Sequence, residues 1–288
     1  MKHLLITTVA LMTLGTNAMA QTENECLDFL YQHMPTPDSV DYPKSYRRNQ
    51  VRLALKASKT MPWGQTVPLW ELQNFVLPVR VNNEALDEAR ATIYKELMPR
   101  LKGMTMEEAA LEVNHWCHEK VSYRPSDGRT AAPLATMRNS IGRCGEESTF
   151  TVSAMRSVGI PARQVYCPRW AHTDDNHAWV EVWIDGKWLF LGACEPEATL
   201  DKGWFNWAAS RAMLVRAFDY EGNSISTTTT YAPVKTLNVK VVDENGTPIK
   251  NATVDFRLYN YSEFYPLHTA KTDASNTSIL CELCTFSY

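Results

Sequence analysis

The chain has 288 residues, 44% of them hydrophobic, with 29 Lys and Arg against 32 Asp and Glu and a formal net charge of −3. That length suits one large domain, or one large domain and a small one. No basic block runs along it to track a phosphate backbone, so nucleic acid is not an expected partner.

Residues 1–20 read as a secretory signal peptide. Lys2 supplies a short positive region, Leu4 to Leu14 an apolar run too short to span a bilayer, and Ala18-Met19-Ala20 a cleavage site before Gln21. The expected location is secreted or periplasmic, with no transmembrane span. Seven cysteines follow the cut: Cys26, Cys117, Cys144, Cys167, Cys194, Cys281 and Cys284. The odd number leaves at least one free or paired between chains. A chain this long needs no disulfide framework, although Cys167 and Cys194 lie near the ends of expected strands and could pair.

Residues 21–105 read as an N-terminal helical extension. Helical periodicity over 24–60 is interrupted by Pro35 and Pro37, and Leu86 to Leu97 presents Leu86, Ala89, Ile93 and Leu97 on one face. Thr105-Met106-Glu107-Glu108 is a capping box. The helix it opens carries an apolar stripe of Met106, Ala109, Val113, Trp116 and Cys117. Asn114, His115 and His118 lie on that helix; His115 and His118 have the spacing of shared metal ligands but no third ligand, so hydrogen bonding or packing is their expected role. Residues 123–141 read as a loop.

That loop leads into Gly142-Arg143-Cys144-Gly145-Glu146-Glu147. Phe150, Ala154, Met155 and Val158 then recur at helical spacing until Gly159 and Pro161 stop the run. Cys144 therefore sits at a helix N-terminus, where free N–H groups and the dipole favour an anion and lower a thiol's pKa. The same N–H groups can hold the oxyanion of an acyl-transfer intermediate. Glu146 and Glu147, in the first turn, read as dipole-stabilising.

After Pro161 the pattern turns to strands. Ala178, Val180, Val182 and Ile184 alternate with His177, Trp179, Glu181 and Trp183. The first set reads as the core face and the second as facing the Cys144 helix or a cleft. Asp185-Gly186 makes a hairpin turn to a return strand over 187–194. Trp170 to Asn176 is a loop before His177. Its His172, Asp174 and Asp175 lack the Gly and distal Glu of a calcium loop, and read as a polar cleft rim. Residues 224–233 read as a linker. Beyond it, Leu237, Val239 and Val241, then Val254, Phe256 and Leu258, alternate around Asn245-Gly246. This predicts a small β-sandwich over 234–288 that is incomplete and reads as truncated or frameshifted.

Three stretches carry a family resemblance: the Gly-Arg-Cys-Gly-Glu that opens the helix, Gly159-Ile160-Pro161-Ala162-Arg163, and His177-Ala178-Trp179-Val180-Glu181-Val182. Together they resemble the transglutaminase-like superfamily. Trp188-Leu189-Phe190-Leu191-Gly192-Ala193-Cys194-Glu195 looks like its peptide:N-glycanase branch. The tail resembles a prealbumin-like or carboxypeptidase-regulatory-like repeat. The resemblance implies an α+β, papain-like core over 106–223, a Cys-bearing helix packed on an antiparallel sheet, with a Cys–His–Asp triad.

Cys144 is then the expected nucleophile and His177 its base. The family's aspartate falls on Gly192, which has no side chain. Strand register places His177 opposite Cys194 and diagonal to Gly192. Glu195 is the favoured substitute for orienting His177, with Asn176 or Asp175 as alternatives from the other side. Trp170, His172 and Trp179 are candidate substrate-binding residues. No metal and no cofactor are expected. The expected function is an exported cysteine-dependent amide hydrolase or acyltransferase acting on a peptide, isopeptide or glycopeptide. The alternative is a non-catalytic peptide- or glycan-binding protein with a degenerate triad.

Overall fold

The structure, a computed structural model, describes residues 21–126, 128–273 and 278–284. The expected signal peptide lies outside the described residues. Thr22 caps α1 (Glu23–His33): its hydroxyl accepts from Glu25 N at 3.3 Å, and the Glu25 carboxylate accepts from Thr22 N at 2.7 Å. Pro35 and Pro43 then cap α2 (Thr36–Asp41) and α3 (Lys44–Thr60), positions where a missing N–H costs nothing. After α4 (Leu69–Phe75), α5 (Ala89–Leu97) starts later than its periodicity suggests. The Asp87 carboxylate accepts from Ala89 N at 2.9 Å, which leaves Leu86 outside the helix. The Thr105 capping box forms as expected and opens α6 (Met106–Lys120).

The expected loop over 123–141 contains more structure than its composition shows. A two-residue strand β1 (Ser122–Tyr123) pairs in parallel with β2 (Ile141–Gly142), and α7 (Pro133–Asn139) lies between them. This pairing delivers the chain to α8 (Cys144–Ser157). Phe150, Ala154, Met155 and Val158 are fully buried as their spacing requires, and Trp116 of α6 stacks on Phe150 with centroids 5.5 Å apart. Gly159, at φ +76°, lets the chain turn back, and Ile160 N donates to Met155 O at 3.0 Å.

Beneath α8 lies a five-stranded antiparallel sheet built from β3 (Ala162–Cys167), β4 (His177–Ile184), β5 (Lys187–Leu191), β6 (Arg216–Phe218) and β7 (Ser224–Ser226), in the order β5-β4-β3-β6-β7. Every residue of β4 is buried, so both of its faces are covered. Val180 and Val182 share a core with α8. Trp179 joins Val165, Cys167, Trp170, Phe205 and Ala217 in a second core on the other face. The expectation that the set of His177, Trp179, Glu181 and Trp183 faces the Cys144 helix or a cleft is corrected for Trp179, which is buried in that second core, because α8 packs on the Ala178 side; His177 lines the cleft.

The stretch expected as a linker is also corrected. Residues 224–226 are the edge strand β7, and the short α10 (Thr228–Tyr231) follows a turn α9 (Asn206–Ala209) in chain order. The tail forms β8 (Val234–Lys240), β9 (Thr253–Asn260), β10 (Glu263–Lys271) and β11 (Ser278–Cys284), paired as β8–β11 and β9–β10. Among the described residues this is two two-stranded pairs rather than a complete sandwich. None of the described helices is long and apolar enough to cross a membrane.

One buried ion pair fixes the strands beneath the site. The Arg163 guanidinium on β3 meets the Glu181 carboxylate on β4 at 2.6 Å and lies 3.9 Å from the Trp188 ring. Removing one partner strands the other charge in a dry environment. Arg163→Ala should lower unfolding stability by roughly 3–5 kcal/mol in urea denaturation, against under about 1 kcal/mol for an exposed arginine such as Arg257.

Candidate active site

Cys144 is the first residue of α8. The Glu146 carboxylate accepts from Arg143 N at 3.0 Å and from its Nε at 3.3 Å, holding the N-cap in place. The Cys144 side chain is half-buried, and the backbone N–H groups of Ala178 and Gly145 lie near its sulfur. Burial raises the thiol above its ordinary range, opposed by the Ala178 N–H, the Arg143 charge and the Gly145 N–H, and reinforced by Glu147. The lowered thiol pKa expected at a helix N-terminus is therefore corrected: loss of water outweighs the N–H groups.

His177, the first residue of β4, lines the same cleft of ≈ 1040 Å³ as Cys144. Its ring is enclosed by Trp204 at 4.9 Å, Phe205 at 5.2 Å, Trp179 at 5.6 Å and Trp170 at 6.1 Å, centroid to centroid. Nε2 is buried and has no hydrogen-bond partner among the described residues. Burial pushes the imidazole down to about 4, opposed only by the charge of Asp175. It is neutral at pH 7, and Nδ1 is the nitrogen left to act in the cleft.

Glu195 lines this cleft but does not orient His177. Both carboxylate oxygens accept from Trp204 Nε1 at 3.0 Å, and no hydrogen bond reaches the imidazole. The reason lies in the strand end. The β4–β5 ladder stops at Val180↔Leu191, and an isolated bridge pairs Gly192 with Glu195. Cys194, at φ +57°, turns the chain away, so the expected pairing of His177 with Cys194 is absent. Asn114 Nδ2 holds the turn by donating to Gly192 O at 2.9 Å and Glu195 O at 3.2 Å, and a His118 ring nitrogen bonds Cys194 O at 2.9 Å. A Cβ at Gly192 would meet Glu195 Oε2 at 2.5 Å, so an aspartate there would have to displace Glu195. Asp175 and Asn176 make no hydrogen bond to the ring either; Asp175 Oδ1 accepts from Asn176 N at 2.8 Å.

Of the expected substrate-binding residues, Trp170 lines the cleft. His172 is exposed, outside the cleft lining, with its ring 4.9 Å from Trp207. Trp179 is fully buried and donates to Tyr231 Oη at 2.9 Å, so it is a core residue and cannot touch a substrate. Glu147 was legible by spacing, since residues three apart on a helix share a face, but its role was not. It lines the cleft beside Cys144 and is pushed up to about 8 by burial, Glu195 and Glu146.

Residues 95–193 match the family model of the transglutaminase-like superfamily. This stretch is a transglutaminase-like domain. It holds both Cys144 and His177 and ends just before Cys194. Among curated proteins, none matches the sequence. Similar solved structures include a candidate cysteine protease from Cytophaga hutchinsonii, 20% identical, covering 52% of this chain and 51% of that one, with a TM-score of 0.34. A candidate protease from Parabacteroides distasonis is 16% identical over 61% of this chain and 30% of its own, with a TM-score of 0.35. Red sea bream transglutaminase is 10% identical over 82% and 54%, with a TM-score of 0.37. The chain thus spans about half or less of each of these chains, and such TM-scores say nothing of activity.

Glu147 makes the stability of the transglutaminase-like domain depend on pH. Its carboxyl titrates at about 8 when folded and near the ordinary 4.5 when unfolded. Between those values the unfolded chain releases the proton first, so stability falls as pH rises. Glu147→Gln should flatten this part of the profile, raising the melting temperature at pH 8 relative to the parent while leaving it unchanged near pH 4.

Proposed function

We propose that the protein is an exported cysteine-dependent amide hydrolase or acyltransferase acting on a peptide, isopeptide or glycopeptide. One observation carries the reading. Cys144 at the start of α8 and His177 at the start of β4 line one cleft, with Ala178 beside them. That shared cleft brings a thiol, a base and backbone donors together, the set that amide transfer needs.

Both groups are neutral at rest, which points to general-base attack rather than a preformed ion pair. As the sulfur adds to the substrate carbonyl, its proton passes to the His177 ring. The carbonyl electrons move onto oxygen, where the N–H groups of the α8 first turn can receive them. Collapse of this intermediate breaks the C–N bond, and His177 returns the proton to the departing amine. Water or another amine then takes the acyl group from Cys144. Trp204, held by Glu195, buttresses the ring against which no carboxylate is placed.

The unbonded Nε2 of His177 favours the other reading, a binding protein in which the cleft has lost its chemistry. A peptide and glycopeptide mixture incubated with the enzyme, then followed by intact-protein and peptide mass spectrometry, separates the two. We expect an acyl adduct on Cys144 and new cleavage or transfer products, both lost in Cys144→Ala. His177→Ala should slow turnover by on the order of a hundredfold or more. Tight retention of a ligand with no adduct and no product would establish the binding reading.

A further inference from the structure

Four arginines line the cleft: Arg143, Arg156, Arg163 and Arg216. Three are committed within the protein. Arg143 pairs with Glu146 and donates to Gly128 O at 2.7 Å. Arg163 pairs with Glu181. Arg156 donates to the carbonyls of Ala162, Pro78 and Arg80. Arg216 differs, because its Nε is buried with no hydrogen-bond partner, and no carboxylate among the described residues pairs with it. Its guanidinium lies 5.3 Å from the Phe218 ring, a contact that leaves the N–H groups unused.

The sheet register places this cation with respect to the nucleophile. Tyr166 of β3 pairs directly with Ala178 of β4 on one side and with Arg216 of β6 on the other. Directly opposed residues of antiparallel strands share a face, so Ala178, Tyr166 and Arg216 all point to the α8 side. Ala178 also lines the cleft beside Cys144. Two strand spacings of about 4.8 Å separate the Arg216 backbone from that of Ala178, roughly the length of three extended residues. At the Cys144 end the cleft carries the carboxylates of Asp175 and Glu195. An anionic ligand group is repelled from there and drawn towards Arg216.

A buried guanidinium Nε–H without an acceptor is costly, and its fork geometry matches a carboxylate through two parallel hydrogen bonds. We infer that Arg216 is a specificity residue that binds a carboxylate of the substrate about three residues from the acyl group attacked by Cys144. The inference rests on Cys144 being the nucleophile. The carboxylate can belong to a chain terminus or to an acidic side chain.

Cysteine-reactive acrylamides test this. One series carries a terminal carboxylate behind glycine spacers of increasing length, and a matched series ends in the carboxamide. A third is amidated at its end and bears an aspartate side chain at the same distances. The rate of adduct formation on Cys144 is read by mass spectrometry for the parent, Arg216→Gln and Arg216→Lys. We expect the parent to favour carboxylate over carboxamide by on the order of tenfold, peaking near three spacer residues. Arg216→Gln should abolish that ratio and Arg216→Lys retain part of it, as a charge without the fork. A preference in the terminal series alone identifies a chain terminus, and one in the aspartate series alone a side chain; both support the inference. Equal rates for carboxylate and carboxamide in the parent overturn the role of Arg216 while leaving Cys144 reactive. Absence of any adduct on Cys144 overturns the reading beneath it as well.

Discussion

The site depends on one docking, that of the start of α8, with Cys144, beside the start of β4, with His177 and Ala178. It joins the two layers of the domain at the point where each begins. Behind it, Phe150, Ala154 and Met155 pack on Val180 and Val182, and this shared core sets where α8 can sit over the sheet. The Arg163–Glu181 pair fixes the β3–β4 register from within. A slip of one residue there would turn Ala178 away from the sulfur and reverse both faces of the strand.

The same burial that positions the groups also keeps them uncharged. The thiol lies above its ordinary range, the imidazole falls to about 4, and Glu147 rises to about 8. At neutral pH the centre of the cleft therefore holds a thiol, an imidazole and a carboxylic acid. A carboxylate against Nε2 would reverse this for the imidazole by stabilising its protonated form. Gly192 supplies none, and Glu195 is engaged with Trp204. The aromatic enclosure of His177 replaces a polar orienter with a packed one, which fixes the ring without raising its basicity.

Much of this was legible in the sequence. The Cys144 helix, its buried stripe and its stop at Gly159 follow from periodicity and one positive φ. The Thr105 capping box and the Asp185-Gly186 hairpin follow from local hydrogen bonding and turn chemistry. What failed was non-local. The register extrapolated from that hairpin breaks after Leu191, because Asn114 and His118 of a distant helix bind the 192–195 turn and draw it off the strand. Which face of β4 meets α8 is not legible, because both faces are apolar and alternation cannot choose between two buried sides. The thiol pKa went the other way because the helix N-terminus is visible in sequence and the burial of its first residue is not. β7 was hidden by its composition, since Ser224-Ile225-Ser226 at a sheet edge looks like a linker.

The central claim is that His177 is a buried, neutral imidazole with an unbonded Nε2, poised to take a proton from Cys144 rather than already holding one. Nitrogen-15 and proton NMR of histidine-labelled protein, titrated with pH, tests this most directly, with His177→Ala assigning the resonance. The account predicts a single midpoint near the value of about 4 and a neutral ring throughout the neutral range. A midpoint at or above the ordinary 6.5, or an imidazolium persisting at neutral pH, would contradict it.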